Sequence, residues 1–287
     1  MKIGVGLPGI IPGCDGQTHI RWSQIADTGP FSSLSTIDRV CYGNWEPLTA
    51  LAGAAAVTQR VQLMPTILLA AVREPVMLAK QIATLDVLSA GRVVLGLGVG
   101  GRQDDFAATG QQYSNRGRRF EKIIETMRSV WRGDAVSGEA GPVGPMPVQA
   151  GGPPILIGAV AGPAIQRIGH YADGYIGTGG PARIGVVTEI VKKAWQEAGR
   201  TGTPRLVATA YFALGAGAEE PGRSNLRAYY SSFMGPAADF IVQGLLTTPD
   251  AAKAAIKGYE DAGFDEITFW PTVAKLEQVE RLAEAVA

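Results

Sequence analysis

Two runs of small residues have the types and spacing to do chemistry. Gly96-Leu97-Gly98-Val99-Gly100-Gly101 and Gly158-Ala159-Val160-Ala161-Gly162-Pro163 each close a short apolar run. The first contains a formal G-x-G-x-x-G, a dinucleotide-binding pattern when it opens the first βαβ unit. Here it comes in the fourth unit, and Arg102-Gln103-Asp104-Asp105-Phe106 does not continue as a long apolar helix. It reads better as a strand end where Gly98, Val99 and Gly100 let a flat ligand approach without colliding side chains. The second run leads into a helical pattern from Ala164 to Tyr171. Small residues there leave backbone N–H groups to face an anion, and the helix N-terminus adds a favourable field. The segment from Gly158 through Ala159, Val160 and Ala161 to Gly162 is therefore a phosphate-site candidate, against the alternative of a plain tight turn. Thr178 and Gly179 follow the next strand and offer a hydroxyl and further amides.

Charged residues at strand C-terminal ends are few: Asp38, Arg39, Arg73 and Arg102. An arginine at such an end can neutralise an anionic ligand or charge that develops during reaction. The competing reading pairs these arginines with Asp38, Glu74, Asp104 or Asp105. His19 and His170 do not combine with any serine or cysteine into a nucleophilic triad, and Cys14 and Cys41 form neither a disulfide framework nor a metal set. No metal is expected. Tyr42, Trp45, Tyr113, Phe212, Phe269 and Trp270 could wall a flat pocket or simply pack between sheet and helices.

The elements that must position these residues follow an alternating β/α pattern. Strand candidates are Ile3–Leu7, Thr36–Val40, Val61–Leu69, Val93–Gly98, Ile155–Ala159, Gly174–Gly177, Leu206–Leu214 and Glu266–Trp270. Helix ends are legible: Glu74-Pro75 starts one helix, Ser89-Ala90-Gly91 stops it, and Asn115 caps another. In that last helix Phe120, Ile123, Ile124, Met127, Val130 and Trp131 share one face. Between 133 and 154 half of the 22 residues are Gly or Pro, so neither helix nor central strand is expected. The pattern predicts a single α/β domain over residues 1–287, a (β/α)8 TIM barrel with an insertion between units 4 and 5. That insertion could serve as an active-site flap, and a doubly wound sheet is the alternative fold.

Lys plus Arg and Asp plus Glu balance at 26 each, which argues against a nucleic-acid or membrane-surface protein. No signal peptide is legible at Met1–Pro12, and a cytoplasmic location is expected. With 38 glycines and 18 prolines beside 46% apolar residues, the chain needs many close approaches while still building a core.

Three segments resemble the bacterial-luciferase-like oxidoreductases. They are Asn44-Trp45-Glu46-Pro47-Leu48 through Ala56-Val57-Thr58; Arg73-Glu74-Pro75 through Lys80-Gln81 to Thr84-Leu85-Asp86; and Ser89-Ala90-Gly91-Arg92 through Gly100. The resemblance covers nearly the whole chain and implies a (β/α)8 barrel with a flavin-type cofactor, FMN or the deazaflavin coenzyme F-420. It implies a tricyclic ring near Gly6 and Leu7, backed at Thr66-Ile67 by a bulge that often holds a non-prolyl cis peptide. Gly98 to Arg102 would border the ring, and Gly158 to Gly162 with Thr178 would hold the phosphate. It further implies a small-molecule substrate, a homodimer and, for oxygen chemistry, a separate flavin reductase. Deazaflavin-dependent dehydrogenases of this family resemble one another in an Asp-His pair where this chain reads Asp38-Arg39. Arginine cannot shuttle a proton near neutral pH, which favours substrate reduction or monooxygenation. Arg39, Arg73 and Arg102 are then the catalytic candidates. A non-redox barrel lyase or isomerase acting on a phosphorylated metabolite, and a cofactor-binding barrel without catalysis, are the competing functions.

Overall fold

The computed structural model describes residues 1–139, 141–160 and 162–287, and at 181–183 the backbone alone. Nine parallel strands line up in the order β3-β2-β1-β9-β8-β7-β6-β5-β4. They are β1 (Lys2–Gly6), β2 (Ser33–Thr36), β3 (Gln62–Pro65), β4 (Leu68–Leu69), β5 (Leu95–Gly98), β6 (Ile155–Gly158), β7 (Gly174–Thr178), β8 (Arg205–Phe212) and β9 (Glu266–Pro271). β3 and β4 are two halves of one strand, parted at Thr66-Ile67, where the peptide bond is cis. The ring closes where Leu63 bridges Val93 and the Val94 N–H donates to the Leu63 carbonyl over 3.0 Å. The expected barrel is therefore present, its third stave broken at the expected place.

Around it run α1 (Gly16–Thr28), α2 (Pro47–Val57), α3 (Pro75–Leu88), α4 (Gln103–Ala108), α5 (Arg116–Trp131), α6 (Gly162–Tyr171), α7 (Pro181–Glu197), α8 (Glu219–Met234), α9 (Ala238–Gln243), α10 (Pro249–Asp261) and α11 (Leu276–Val286). Local chemistry sets their ends. Pro75 sits in the first turn of α3, where its missing N–H costs nothing, and the Glu74 carboxylate accepts from the Met77 N–H at 2.6 Å. Ala90 and Gly91 then turn left-handed at its end. Asn115 stands at the N-cap of α5, but its side chain donates to Gln112 rather than capping the helix. All six apolar residues of the α5 face are buried. Each such side chain contributes about 1.5–3 kcal/mol by leaving water.

Inside the barrel Met64, Val94, Leu156, Ile176 and Val207 pack as one apolar layer, with Ile67 against them. Its N-terminal end is plugged by Glu266, fully buried, which accepts from the Ser32 and Ser33 hydroxyls at 2.8 and 2.6 Å and pairs with Arg205. That plug explains why β2 begins at Ser33 rather than at Thr36. Ser33 is buried because a remote carboxylate satisfies it, and Asp38 and Arg39 consequently fall in the loop beyond the strand.

The Gly/Pro-rich segment after α5 is irregular, as expected, but it is not a flap over the active end. It joins a helix end to the start of β6 and so lies at the N-terminal end of the barrel. Lys80 Nζ donates to the Gly144 carbonyl, and Gln149 bonds the Asp86 carboxylate through its backbone N–H and its side-chain amide. Among the described residues, no helix is long and apolar enough to cross a membrane.

Candidate active site

A cavity of about 650 Å³ opens at the C-terminal ends of the strands. This is the end where barrel enzymes hold their reacting groups. Its floor and one wall are apolar: Ile67, Leu69, Val99, Ile176 and Trp270. The roof comes from the long connection after β8, where Tyr229, Tyr230 and Phe233 of α8 face inward. The turn after β6, at Gly158, Ala159 and Val160, lines it too, as do the side chains of Arg116 and Arg167.

The break in the third stave builds the floor. Glycine at 98 and 158 makes room there, though for a residue of the chain itself. A Cβ on Gly158 would lie 2.7 Å from Ile67 Cγ2, and one on Gly98 would land on Ile67 Cδ1. The Ile67 side chain thus fills the gap that both glycines leave. Beside it Thr66 Oγ1 accepts from the Trp270 indole N–H at 2.9 Å, holding the Trp270 ring under the cavity.

Most charges near the cavity are paired. Arg39 Nε donates to both carboxylate oxygens of Asp105 at 3.1 and 2.9 Å, and its Nη2 donates to Asp104 Oδ2 at 2.8 Å. Asp105 also accepts from the Val40 and Cys41 N–H groups, which pins the loop after β2. Cys41, Asp104 and Asp105 hold potential metal-ligand atoms within 4.8 Å of one another, but both carboxylates are already ion-paired with Arg39. Arg73 lies behind the wall, tied to Asp38 and Glu46 at 2.9 Å each. Burial pushes the Asp38 carboxyl up, against the pull of Arg73 and of the Leu69 N–H that it accepts at 2.9 Å. Arg102 donates to the Tyr229 carbonyl at 3.0 Å, and its guanidinium stands 4.8 Å from the ring centres of Tyr229 and Phe233.

The structure brings Arg39, Arg102, Thr66, Ile67, Val99, Gly100, Gly158, Ala159, Val160 and Thr178 to this cavity. Other candidates do not line it. Leu7 is fully buried, and Gly6 packs beneath Trp270 and Pro271. Gly98 lies under Ile67, and the Gly179 carbonyl accepts from the Tyr259 hydroxyl. Gly162 opens α6 beside the cavity without lining it, and Ala161 lies outside the described residues. Of the aromatic candidates Trp270 lines the cavity, whereas Phe212 and Phe269 pack on each other in the core and Trp45 stacks on His19.

Sequence reasoning missed Arg116, Arg167 and the tyrosines. Arg116 lies over the Tyr113 ring at 3.8 Å and donates to the Tyr113 carbonyl; Arg167 donates to Glu121 at 2.6 Å and to the Pro163 carbonyl. Tyr211 on β8 and Tyr230 on α8 join hydroxyls at 2.7 Å. The Tyr229-Tyr230 doublet followed by Phe233, in a connection too long for a simple βα turn, was the available signal.

The fold and cavity together define a (β/α)8 barrel with its site at the strand C-terminal ends. Residues 12–286 match the sequence profile of the family described as Luciferase-like monooxygenase, and the chain belongs to that family. An uncharacterised protein of Mycobacterium tuberculosis is 34% identical over 199 residues, covering 67% of this chain and 70% of its own length. The phthiodiolone/phenolphthiodiolone dimycocerosates ketoreductase of Mycobacterium bovis is 31% identical over 170 residues, covering 55% of this chain and 44% of its own. Three solved structures share the fold at low identity. Monooxygenase RslO1 from Streptomyces bottropensis aligns with a TM-score of 0.78 at 22% identity, over 99% of this chain and 96% of that one. An F420-dependent secondary alcohol dehydrogenase solved with an F420–acetone adduct gives 0.78 at 15%, over the whole of both chains. The FMN-bound oxygenating constituent of 3,6-diketocamphane monooxygenase from Pseudomonas putida gives 0.75 at 16%, over 99% and 96%.

Proposed function

We propose that this protein is an oxidoreductase that holds a flavin-type tricyclic cofactor, FMN or the deazaflavin F-420, and reduces a small organic carbonyl substrate by hydride transfer. One observation carries the reading: the cavity lining combines an apolar floor with a turn of small residues and two arginines. The cavity's size falls within the roughly 300–1,000 Å³ of small-molecule sites. Apolar side chains around Thr66 and Ile67 fit a flat ring, and the turn at Gly158 to Val160 with Arg116 and Arg167 fits an anionic tail. The ketoreductase among the relatives supports a carbonyl substrate.

When bound, the cofactor would supply the two-electron chemistry that no side chain of the chain can perform. The protein's part is positioning. Thr66, Ile67 and Val99 would border the ring, while Arg116 and Arg167 would hold the tail. Arg39 fixes the loop after β2 through Asp104 and Asp105, and Arg102 ties the roof helix down so that water is excluded. A homodimer and a cytoplasmic setting belong to the same proposal. A separate flavin reductase belongs only to its FMN form, where reduced flavin has to be delivered.

The test is an absorbance titration of the purified protein with FMN and, separately, with the deazaflavin. One of the two binds, and replacing both Arg116 and Arg167 by Ala weakens that binding at least about ten-fold, since a hydrogen bond to a charged group contributes about 1.5–3 kcal/mol. Binding of neither cofactor refutes the proposal.

A further inference from the structure

The proposed reaction needs a proton for the substrate oxygen, and the cavity is poor in groups that can give one. Both histidines lie elsewhere, with His19 buried under Trp45 and His170 late in α6. Arg39, Arg102, Arg116 and Arg167 do not release protons near neutrality. Burial pushes the Asp38 carboxyl up, but its Oδ2 is taken by the Arg73 guanidinium and the Leu69 N–H, and Asp105 is enclosed by Arg39 and the Val40 and Cys41 N–H groups. What remains among the described lining residues is phenol, on Tyr211, Tyr229 and Tyr230.

Two of these phenols are coupled. Tyr211 and Tyr230 come from different elements, and their oxygens stand 2.7 Å apart. The pair has two hydroxyl hydrogens and one mutual hydrogen bond, so one hydrogen is left over. The described residues offer neither oxygen a second partner. Tyr211 is the deeper of the two, 8% exposed and packed on Trp270 with ring centres 5.0 Å apart. Tyr230 is only partly buried. The free hydrogen therefore belongs on Tyr230, with Tyr211 donating to it from behind. The Arg102 guanidinium, 5.8 Å from the Tyr230 ring centre, favours the negative charge that forms when that hydrogen leaves.

We infer that Tyr230, backed by Tyr211, is the proton donor to the oxygen of a carbonyl substrate. The inference rests on the hydride-transfer reading above. In the step, the carbonyl carbon gains a hydride from the reduced flavin-type cofactor, forming a C–H bond. The C=O π pair moves onto oxygen, and that oxygen takes the Tyr230 proton as the phenolic O–H breaks. The carbonyl is reduced to an alcohol by two electrons, and the cofactor is oxidised by two. The Tyr230 oxygen, the more exposed of the two, recovers its proton from water, while the Tyr211 hydroxyl donates to it and steadies the phenolate. Burial, reinforced by the neighbouring phenols, holds Tyr211 well above its usual value, and burial raises Tyr230 as well, so both start protonated at any working pH.

The test uses Tyr230→Phe, Tyr211→Phe and, as a control, Tyr229→Phe. The probe is 4-dimethylaminocinnamaldehyde, whose visible band moves to the red when its carbonyl oxygen accepts a hydrogen bond. Bound to wild type the band lies to the red of its position in Tyr230→Phe, Tyr211→Phe falls between them, and a Tyr229→Phe band at the Tyr230→Phe position would assign the donor to Tyr229 and overturn the inference. A Tyr230→Phe band at the wild-type position overturns the assignment as well. With a reduced cofactor loaded, Tyr230→Phe lowers the rate of carbonyl reduction by about 100-fold or more, the usual scale for a positioned acid, while cofactor affinity stays at the wild-type value. Equal rates would overturn it too. Failure of wild type to bind either cofactor refutes the proposed function instead, and the probe shift, read without cofactor, still judges the tyrosines.

Discussion

Gly158→Ala should damage the site through Ile67 rather than through direct contact with a ligand. The new methyl would stand 2.7 Å from Ile67 Cγ2 and 3.6 Å from Cδ1. Carbon atoms rest at about 3.5–4.0 Å, so Ile67 has to move by about 1 Å. It has little freedom to do so, because a β-branched side chain is stiff at χ1 and its Cδ1 already sits on Gly98. The open direction is into the cavity. Overpacking of this kind costs about 1–3 kcal/mol. Ile67→Ala alone loses about 1–2 kcal/mol, below the range for a fully buried isoleucine because one side of Ile67 faces the cavity. In the double variant the clash disappears, so the two changes together should cost about 1–3 kcal/mol less than their sum. Urea midpoints of the four proteins give this coupling, and cofactor titrations follow the same order. Additivity within about 0.5 kcal/mol, the agreement expected of independent sites, would show that the glycine is not there to admit Ile67.

Arg102→Ala removes the hydrogen bond to the Tyr229 carbonyl and the stacking under Tyr229 and Phe233. Amide exchange across 219–234 should quicken about ten-fold or more, from the roughly 0.5–2 kcal/mol of cation–π energy and one charged hydrogen bond. The urea midpoint should fall as well, since global unfolding loses the same contacts, and unchanged exchange would mean that Arg102 does not restrain the roof. His19 gives a pH prediction with a definite sign. Burial depresses its folded-state value below the usual 6.5, despite the Ala50 carbonyl 3.0 Å from Nε2. Below about pH 6.5 the unfolded chain takes up the proton first, so this residue's contribution to stability, present at higher pH, falls on acidification. His19→Gln should flatten the loss of stability between pH 6.5 and the depressed value, measured by urea midpoints; parallel wild-type and variant profiles would refute it.

The barrel was legible because its signal is local and repeated. Each unit carries its own apolar run and helix face, as in Phe120 to Trp131 of α5, and the ends at Glu74-Pro75 and Ala90-Gly91 lie where turn chemistry puts them. What failed was whatever depended on a partner far along the chain. β2 starts at Ser33 because Glu266, at the other end of the sequence, satisfies a serine. The arginines at strand ends were visible, but their assignment depended on which acids fold beside them. Arg39 meets Asp104 and Asp105, and Arg73 meets Asp38. The flap expectation failed for a related reason. Composition shows that a segment is irregular, whereas only the direction of the neighbouring strand says which end of the barrel it occupies.

The fate of those arginines bears on how the site works. An unpaired guanidinium beside the ring would hold water and counterions in the cavity and would favour anions at every position along it. Pairing Arg39 with two carboxylates and Arg73 with two more withdraws that charge from the middle of the site. Their rigidity is then used to fix the loop after β2 and the stave break, since Asp105 also holds the Val40 and Cys41 amides and Asp38 also holds the Leu69 amide. Of the cations left facing the cavity, Arg102 is engaged with the Tyr229 carbonyl and the roof aromatics, Arg167 shares its charge with Glu121, and Arg116 lies over the Tyr113 ring. A ligand carrying both an anionic tail and a neutral flat ring fits this lining best with its tail toward Arg116 and Arg167. Reversing it would bring the anion to Arg102, whose Nη1 and Nη2 already donate to Ser232 and the Tyr229 carbonyl. The ion pairs that looked like lost catalytic groups are thus what limits where an anion can bind.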